Sequence, residues 1–247
     1  MINPCVLIPI YNHKDTIEAV LASLECLGLP CLIVDDGSHS ATQQVLAAAT
    51  AHYPWTHLIR QAPNAGKGSA LTTGFRHAEA AGYTHAVQID ADGQHHTGDI
   101  SRFLETAAAH PEALILGKPI FGNDIPGSRY FGRKLSVWCA RAETLSCAIG
   151  DPLFGFRVYP LAATVAVGKR YRLGSRMDFD PDIAVRLYWS GVPVHNIETR
   201  VRYPPGGVSH FRLLQDNARI SWMHTRLLIG MVFRLPRLLR RRWGICH

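Results

Sequence analysis

The sequence predicts an α/β domain, a mostly parallel sheet covered by helices, followed by a C-terminal amphipathic helical tail. Three observations predict it. Short apolar runs alternate with segments of helical periodicity through the first half of the chain. The runs are continuously apolar, as strands buried on both faces require. Polar clusters follow three of these runs, and in open α/β sheets ligands lie beyond the carboxyl ends of the strands.

In order, residues 6–10 read as a buried strand and 15–27 as a helix with Ile17, Val20, Leu21 and Leu24 on one side. Residues 31–34 make a second strand ending in Asp35-Asp36-Gly37-Ser38, followed by a helix over 41–50 and a strand at 57–60. Residues 66–80 read as helix, 86–89 as strand, 99–109 as helix and 113–116 as strand. That alternation implies right-handed βαβ units. The second half is less regular, with a helix over 129–146, a strand at 154–158, a helix over 180–189 and mostly strand over 192–202. Residues 213–242 form a long helical pattern interrupted at Pro236. No repeat or low-complexity linker intervenes, so we expect one domain over 1–212 and a basic amphipathic tail over 213–247.

Composition narrows the function. With 47% hydrophobic and 18% charged residues the chain is a folded globular protein, not a disordered one. A net charge of +7 suits a partner that carries phosphate. The six cysteines show no C-x-x-C pair and several sit in apolar runs, where cysteine acts as a small hydrophobe. The chain opens directly into a strand pattern without a leader, so a reduced, cytoplasmic setting is expected. No apolar stretch approaches the roughly 18–20 residues that a spanning helix needs.

Asp90-Ala91-Asp92 lies just past a buried strand. Carboxylates two apart in an extended segment point the same way and can face one cation. Mg²⁺ or Mn²⁺ takes oxygen ligands, often one or two protein carboxylates beside substrate phosphates, and Gln94 adds a neutral oxygen. Taken alone, the two aspartates could equally cap the next helix. Tyr11-Asn12 after the first strand and Asp35-Asp36 after the second fall on the same sheet edge, and together the three clusters describe one pocket.

Four segments occur in order: Ile8-Pro9-Ile10-Tyr11-Asn12, Val34-Asp35-Asp36-Gly37-Ser38, Asn64-Ala65-Gly66-Lys67-Gly68 and Ile89-Asp90-Ala91-Asp92-Gly93-Gln94-His95. Together they resemble the inverting family 2 glycosyltransferases, with a Rossmann-like GT-A fold of three α/β/α layers, in the branch similar to dolichyl-phosphate mannosyltransferase. The resemblance is close over about the first 160 residues and looser to Arg212. It implies that Pro9, Tyr11, Asn12 and Asp36 line the nucleoside pocket and that Lys67 meets the base or phosphates. It also implies that Asp90 contacts the donor and that Asp92 and Gln94 bind the metal. His95 and His96 are expected beside this site or exposed. On the acceptor side, Arg157 resembles the cation of a Gly-Phe-Arg segment that holds phosphate. Asp182 falls at the position of the candidate base, where the family more often has Glu. Arg202, with the glycine-rich stretch after it, resembles a closing segment near the donor diphosphate.

The expected activity is transfer of a sugar from a GDP- or UDP-sugar, with Mg²⁺ or Mn²⁺, to a polyprenyl phosphate or another lipid-linked or amphiphilic acceptor. Arginines mixed with leucines and a Trp in the tail suit peripheral contact with an anionic membrane, on its inner face. The alternative for the tail is a helix packed on the domain with a solvated basic end. A nucleotidyltransferase would want a glycine-rich basic loop after the first strand, where Pro9-Ile10-Tyr11-Asn12 stands instead. A degenerate glycosyltransferase-like binding module is the other rival, and the intact carboxylates count against it. Nucleic acid is not an expected partner, because the basic residues cluster without interleaved aromatic platforms.

Overall fold

The computed structural model describes residues 1–120, 127–201 and 213–244, and side chains within these except at 127–131, 213 and 242–244. The strands are β1 (Pro4–Ile10), β2 (Cys31–Asp36), β3 (Thr56–Gln61), β4 (His85–Gln88), β5 (Leu114–Ile120), β6 (Arg157–Pro160) and β7 (Val194–Arg200). The helices between the first five strands are α1 (Ile17–Leu24), α2 (Ser40–His52), α3 (Lys67–Ala80) and α4 (Ile100–Ala109). Then come α5 (Gly127–Thr144), α6 (Leu161–Arg170), α7 (Phe179–Trp189), α8 (Leu213–Val232) and α9 (Leu235–Gly244).

The strands form one sheet in the order β3-β2-β1-β4-β6-β5-β7. Every pairing is parallel except those of β6, which runs antiparallel to both β4 and β5. Two apolar layers cover it. One face packs against Ile17, Val20, Leu21 and Leu24 of α1, Leu46 of α2 and Ile100 and Phe103 of α4. The other packs against Leu71 and Phe75 of α3, Val165 of α6, and Phe179 and Ile183 of α7. Met223 and Leu227 of α8 belong to that second core, so the tail is built into the domain along one side.

A proline inside a central strand normally removes a ladder hydrogen bond. Here β4 stops at Gln88 opposite Leu7, and Leu7 O accepts the last bond on that side, from Ile89 N at 3.2 Å. Two residues on, Pro9 has the same orientation and faces no strand, so nothing is lost. The chain leaves β4 at this notch and enters Asp90-Ala91-Asp92.

The structure departs from expectation in two places. The β6 strand runs against its neighbours, a reversal that continuous apolar patterning does not encode. Helix α6 was not foreseen, because Thr164, Val165 and Val167 favour strands. Leu161, Thr164 and Val165 nonetheless bury one helical face, and Pro160 ends the preceding strand. The tail breaks at Pro236 as expected: α8 ends at Val232 and α9 begins at Leu235, with Pro236 in its first turn, where a missing N–H is harmless.

Candidate active site

The parallel strands deliver their carboxyl ends to one edge. Asn12 leaves β1 with φ 57°, a left-handed conformation that Asn tolerates. Its backbone N donates to Ser38 Oγ at 3.0 Å and its Oδ1 accepts from His39 N at 2.9 Å, locking the first two edge loops together. The Tyr11 and His39 rings stand 6.2 Å apart beside this junction. Asn12, expected to touch the donor, thus spends its side-chain oxygen on the protein.

Asp36 shows a similar inward role. Its carboxylate accepts from Gln61 Nε2 (2.6 Å), Asn64 Nδ2 (2.8 Å), Ala65 N (2.9 Å) and Gly66 N (2.7 Å). Four donors nearly exhaust the acceptor sites of a carboxylate. Asp36 is buried and shapes the turn that presents Lys67; it faces those donors, not a cleft. Gly66 makes the turn possible: at φ 105° it lies so close to Ser175 and Arg176 that a Cβ would fall 2.4 Å from Ser175 O.

Lys67 opens α3 and joins two elements that are distant in sequence. Its Nζ lies 2.7 Å from Asp90 Oδ1 and 3.1 Å from Asp180 Oδ2. Gln88 Nε2 reaches Asp180 Oδ1 at 3.4 Å from below. Burial works against the ammonium, but the carboxylates of Asp180 and Asp90 outweigh it and raise the lysine above its ordinary value. Burial likewise opposes the charge on Asp90, yet Lys67 and His95, with hydrogen bonds from Lys67 and Gln88, hold the carboxyl down at about 2.

His95 is buried beside Asp90, stacked on Phe156 with centroids 5.4 Å apart. Its Nδ1 accepts from Asp90 N at 3.1 Å, which leaves the proton of the neutral ring on Nε2, 3.8 Å from Asp90 Oδ2. Burial lowers its pKa and keeps it neutral. Asp92 and Gln94 lie further out, half-buried. Asp92 Oδ1 accepts Gln94 N at 3.0 Å, a tight turn that brings the two side chains round the same loop. Among the described residues no group of three or more His, Cys, Asp or Glu could hold a metal. The carboxylate-plus-amide pair is a donor set that suits a hard cation, whose remaining ligands would have to come from outside the pair.

Gly155 closes the floor. A Cβ there would lie 2.6 Å from Asp90 Oδ2 and 2.9 Å from Lys67 Nζ. Gly155→Ala is therefore expected to push the pair apart, lowering kcat/KM roughly 100-fold and costing about 1–3 kcal/mol of stability. Steady-state kinetics with thermal melting of the same variant check both.

Two expected roles on the acceptor side are corrected. Arg157 is fully buried and faces no open space. Its guanidinium donates to Phe154 O (2.7 Å), Pro152 O (2.6 Å), Asp180 O (2.7 Å) and Tyr159 Oη (3.3 Å). It fastens the 152–157 segment to α7 and does not reach a phosphate in this arrangement. Asp182 also points away from the cluster, with no exposed surface. It accepts Arg186 Nε at 2.5 Å and Gly174 N at 3.1 Å, and lies 3.6 Å from Arg226 Nη2 of α8. Burial raises its pKa while Arg186 opposes the shift. The carboxylate at the cluster is Asp180, two residues earlier in the acidic stretch that opens α7. Positions two apart on a helix differ by about 200°, so only one of Asp180 and Asp182 can face it. Asp182→Asn should leave kcat within about threefold while lowering the melting temperature, and Asp180→Asn, which removes one of the two carboxylates that position Lys67, should cost roughly 100-fold in kcat. The reverse ranking would restore Asp182 as the candidate base. Arg202 lies outside the described residues.

Residues 5–159 match the family described as Glycosyl transferase family 2. The chain is 29% identical over 160 residues to the polyprenol monophosphomannose synthase of Mycolicibacterium smegmatis, covering 62% of this chain and 60% of that protein. It is 27% identical over 197 residues to the undecaprenyl-phosphate mannosyltransferase of Micrococcus luteus, covering 66% of this chain and 78% of that protein. Among solved structures, S. aureus TarS 1–349 in complex with UDP-GlcNAc superposes with a TM-score of 0.62 at 16% identity, over 98% of this chain and 73% of that one. The mannosyltransferase PcManGT of Pyrobaculum calidifontis, in complex with GDP-Man and Mn²⁺, gives 0.59 at 18% identity, over 97% and 73%. These likenesses establish the GT-A fold.

Proposed function

The chain belongs to glycosyltransferase family 2, and on that premise we propose that it transfers a sugar, with inversion, from a GDP- or UDP-sugar to a polyprenyl phosphate at an anionic membrane surface. The observation that carries this reading is the Lys67–Asp90–Asp180 cluster at the sheet edge, with Asp92 and Gln94 beside it. Lys67 orients the two carboxylates, and Tyr11 and His39 border the space beyond β1 and β2. Asp92 and Gln94 would hold Mg²⁺ or Mn²⁺, which when bound supplies positive charge against the leaving diphosphate.

Proton chemistry supports a phosphate acceptor. A hydroxyl acceptor must lose a proton as it attacks, which calls for a free base. The two carboxylates described at the cluster, Asp90 and Asp180, are engaged by Lys67, and Asp182 lies away from it, held by Arg186. A lipid phosphate is already anionic and needs no base. The two relatives named above, by their descriptions a polyprenol monophosphomannose synthase and an undecaprenyl-phosphate mannosyltransferase, fit the same acceptor class.

A thermal-shift series with GDP- and UDP-sugars tests the donor half. At a hundredfold excess over Kd, a ligand specific to the native state adds about 2.7 kcal/mol, roughly 5–10 °C for a domain of this size. The shift is expected for the true donor with Mn²⁺ or Mg²⁺ and should vanish with chelator. Equal shifts with and without the cation would overturn the metal assignment.

A further inference from the structure

We propose that the outward face of α8 is the surface by which this protein lies on an anionic lipid bilayer. The proposal rests on the lipid-phosphate reading above and gives it a location. Helix α8 is apolar on two opposite sides. Ile220, Met223, Leu227 and Met231 turn inward on the core. Leu214, Trp222, Ile229 and Val232, three to eight residues apart, share the opposite side, and Phe233 follows just past the helix end. This spacing sets them in one stripe roughly 28 Å long.

The stripe is open. Leu214 is 88% exposed, Trp222 64% and Phe233 81%. One inward face is all that a helix needs to join a core, so the second is not explained by folding. On α5, which packs against α8, Leu135 and Trp138 are exposed as well. No described helix is long and apolar enough to cross a membrane, so the contact is one of lying on the surface.

Charge selects the occupant. Between residues 213 and 244 the basic residues outnumber the acids seven to one, and the single acid, Asp216, is buried. The arginines divide by role. Arg234 stacks over Trp189 at 4.5 Å and Arg241 over Tyr188 at 3.9 Å, so both are turned back onto the protein. Arg219, Arg237 and Arg240 are exposed alongside the stripe or beyond its end. Two copies meeting through this face would set arginine against arginine, whereas anionic headgroups complement it. Exposed tryptophans suit the headgroup level, where one part of the ring is apolar and the other wet.

Co-sedimentation of the full chain with vesicles, without donor or acceptor, tests this separately from sugar transfer. The wild type should pellet with vesicles of phosphatidylcholine and phosphatidylglycerol, less so as salt rises, and poorly with phosphatidylcholine alone. The double variant Trp222→Glu/Phe233→Glu should lose roughly tenfold or more of that partition at an unchanged melting temperature. Arg237→Glu/Arg240→Glu should lose the preference for the anionic vesicles, and this keeps the test decisive if the first variant folds poorly. Three results would overturn the proposal: a wild type that stays in the supernatant, binding indifferent to both variants, or a stable dimer in solution that Trp222→Glu/Phe233→Glu dissolves.

Discussion

Asp92→Ala is expected to lower sugar transfer by about a thousandfold or more while hardly changing stability. The asymmetry comes from what Asp92 does in the fold. Among the described residues its hydrogen bond is to Gln94 N, in a half-buried turn, and losing it costs only about 0.5–1.5 kcal/mol. The task proposed for it, holding a cation, is larger, because charge stabilisation at a leaving diphosphate is commonly the largest single contribution to such a step. Gln94→Ala should move in the same direction by less, since a neutral oxygen contributes less to holding a cation. The measurement is kcat/KM over a titration of Mn²⁺ and of Mg²⁺, with melting temperature recorded alongside. Full activity of Asp92→Ala would remove the residue from the site altogether.

Lys67→Met should damage both the fold and the chemistry. It strands Asp90 and Asp180 on either side of a missing cation, in a place where all three side chains are largely buried. Removing one partner of a buried pair typically costs 3–5 kcal/mol, and the residual exposure here reduces that to about 2–4. The pH dependence makes the test specific. In the wild type the carboxyl of Asp90 is held at about 2, below its unfolded value. Its stabilising contribution is therefore present throughout the neutral range and is lost only as pH falls toward 2. In the variant, two neighbouring carboxylates without a cation favour taking up a proton, and a raised folded pKa means stability that is lost as pH rises through it. Melting curves in chelator from pH 5 to 8 should show wild type and variant diverging as pH increases. A constant gap would mean that Lys67 acts through packing and not through charge.

The clustering of these residues at one sheet edge was legible in the sequence because that edge is assembled from strand ends. Continuous apolar runs locate β1, β2 and β4, the parallel alternation aligns their exits, and Asp90-Ala91-Asp92 is then forced to the edge. The walls were not legible, because they depend on orientation. The aspartates of α7 are interchangeable in a string of letters, and only the rotation of a packed helix decides that Asp180 meets Lys67 and Asp182 meets Arg186. Helical spacing could have shown that the two diverge, though not which one turns inward. Arg157 misled for a related reason: an arginine at a strand start reads as solvated or phosphate-facing until the carbonyls around it are known. The reversed direction of β6 lies in the path of the chain between α5 and α6, and no local pattern records it.

The Arg157 guanidinium has a further consequence, for the cooperativity of the molecule. It can be dehydrated at tolerable cost only when the carbonyls of Pro152, Phe154 and Asp180 are all in place. Those acceptors come from a loop and from a helix more than twenty residues further along. A partial opening that withdrew any one of them would leave a buried cation short of partners, so intermediate openings are sparsely populated. Hydrogen exchange at the amides around Phe154 and at the start of α7 should accordingly proceed only through unfolding of the whole domain, with protection close to the global limit. The floor under Lys67 and Asp90 behaves as an all-or-none element that remains closed until the protein itself comes apart.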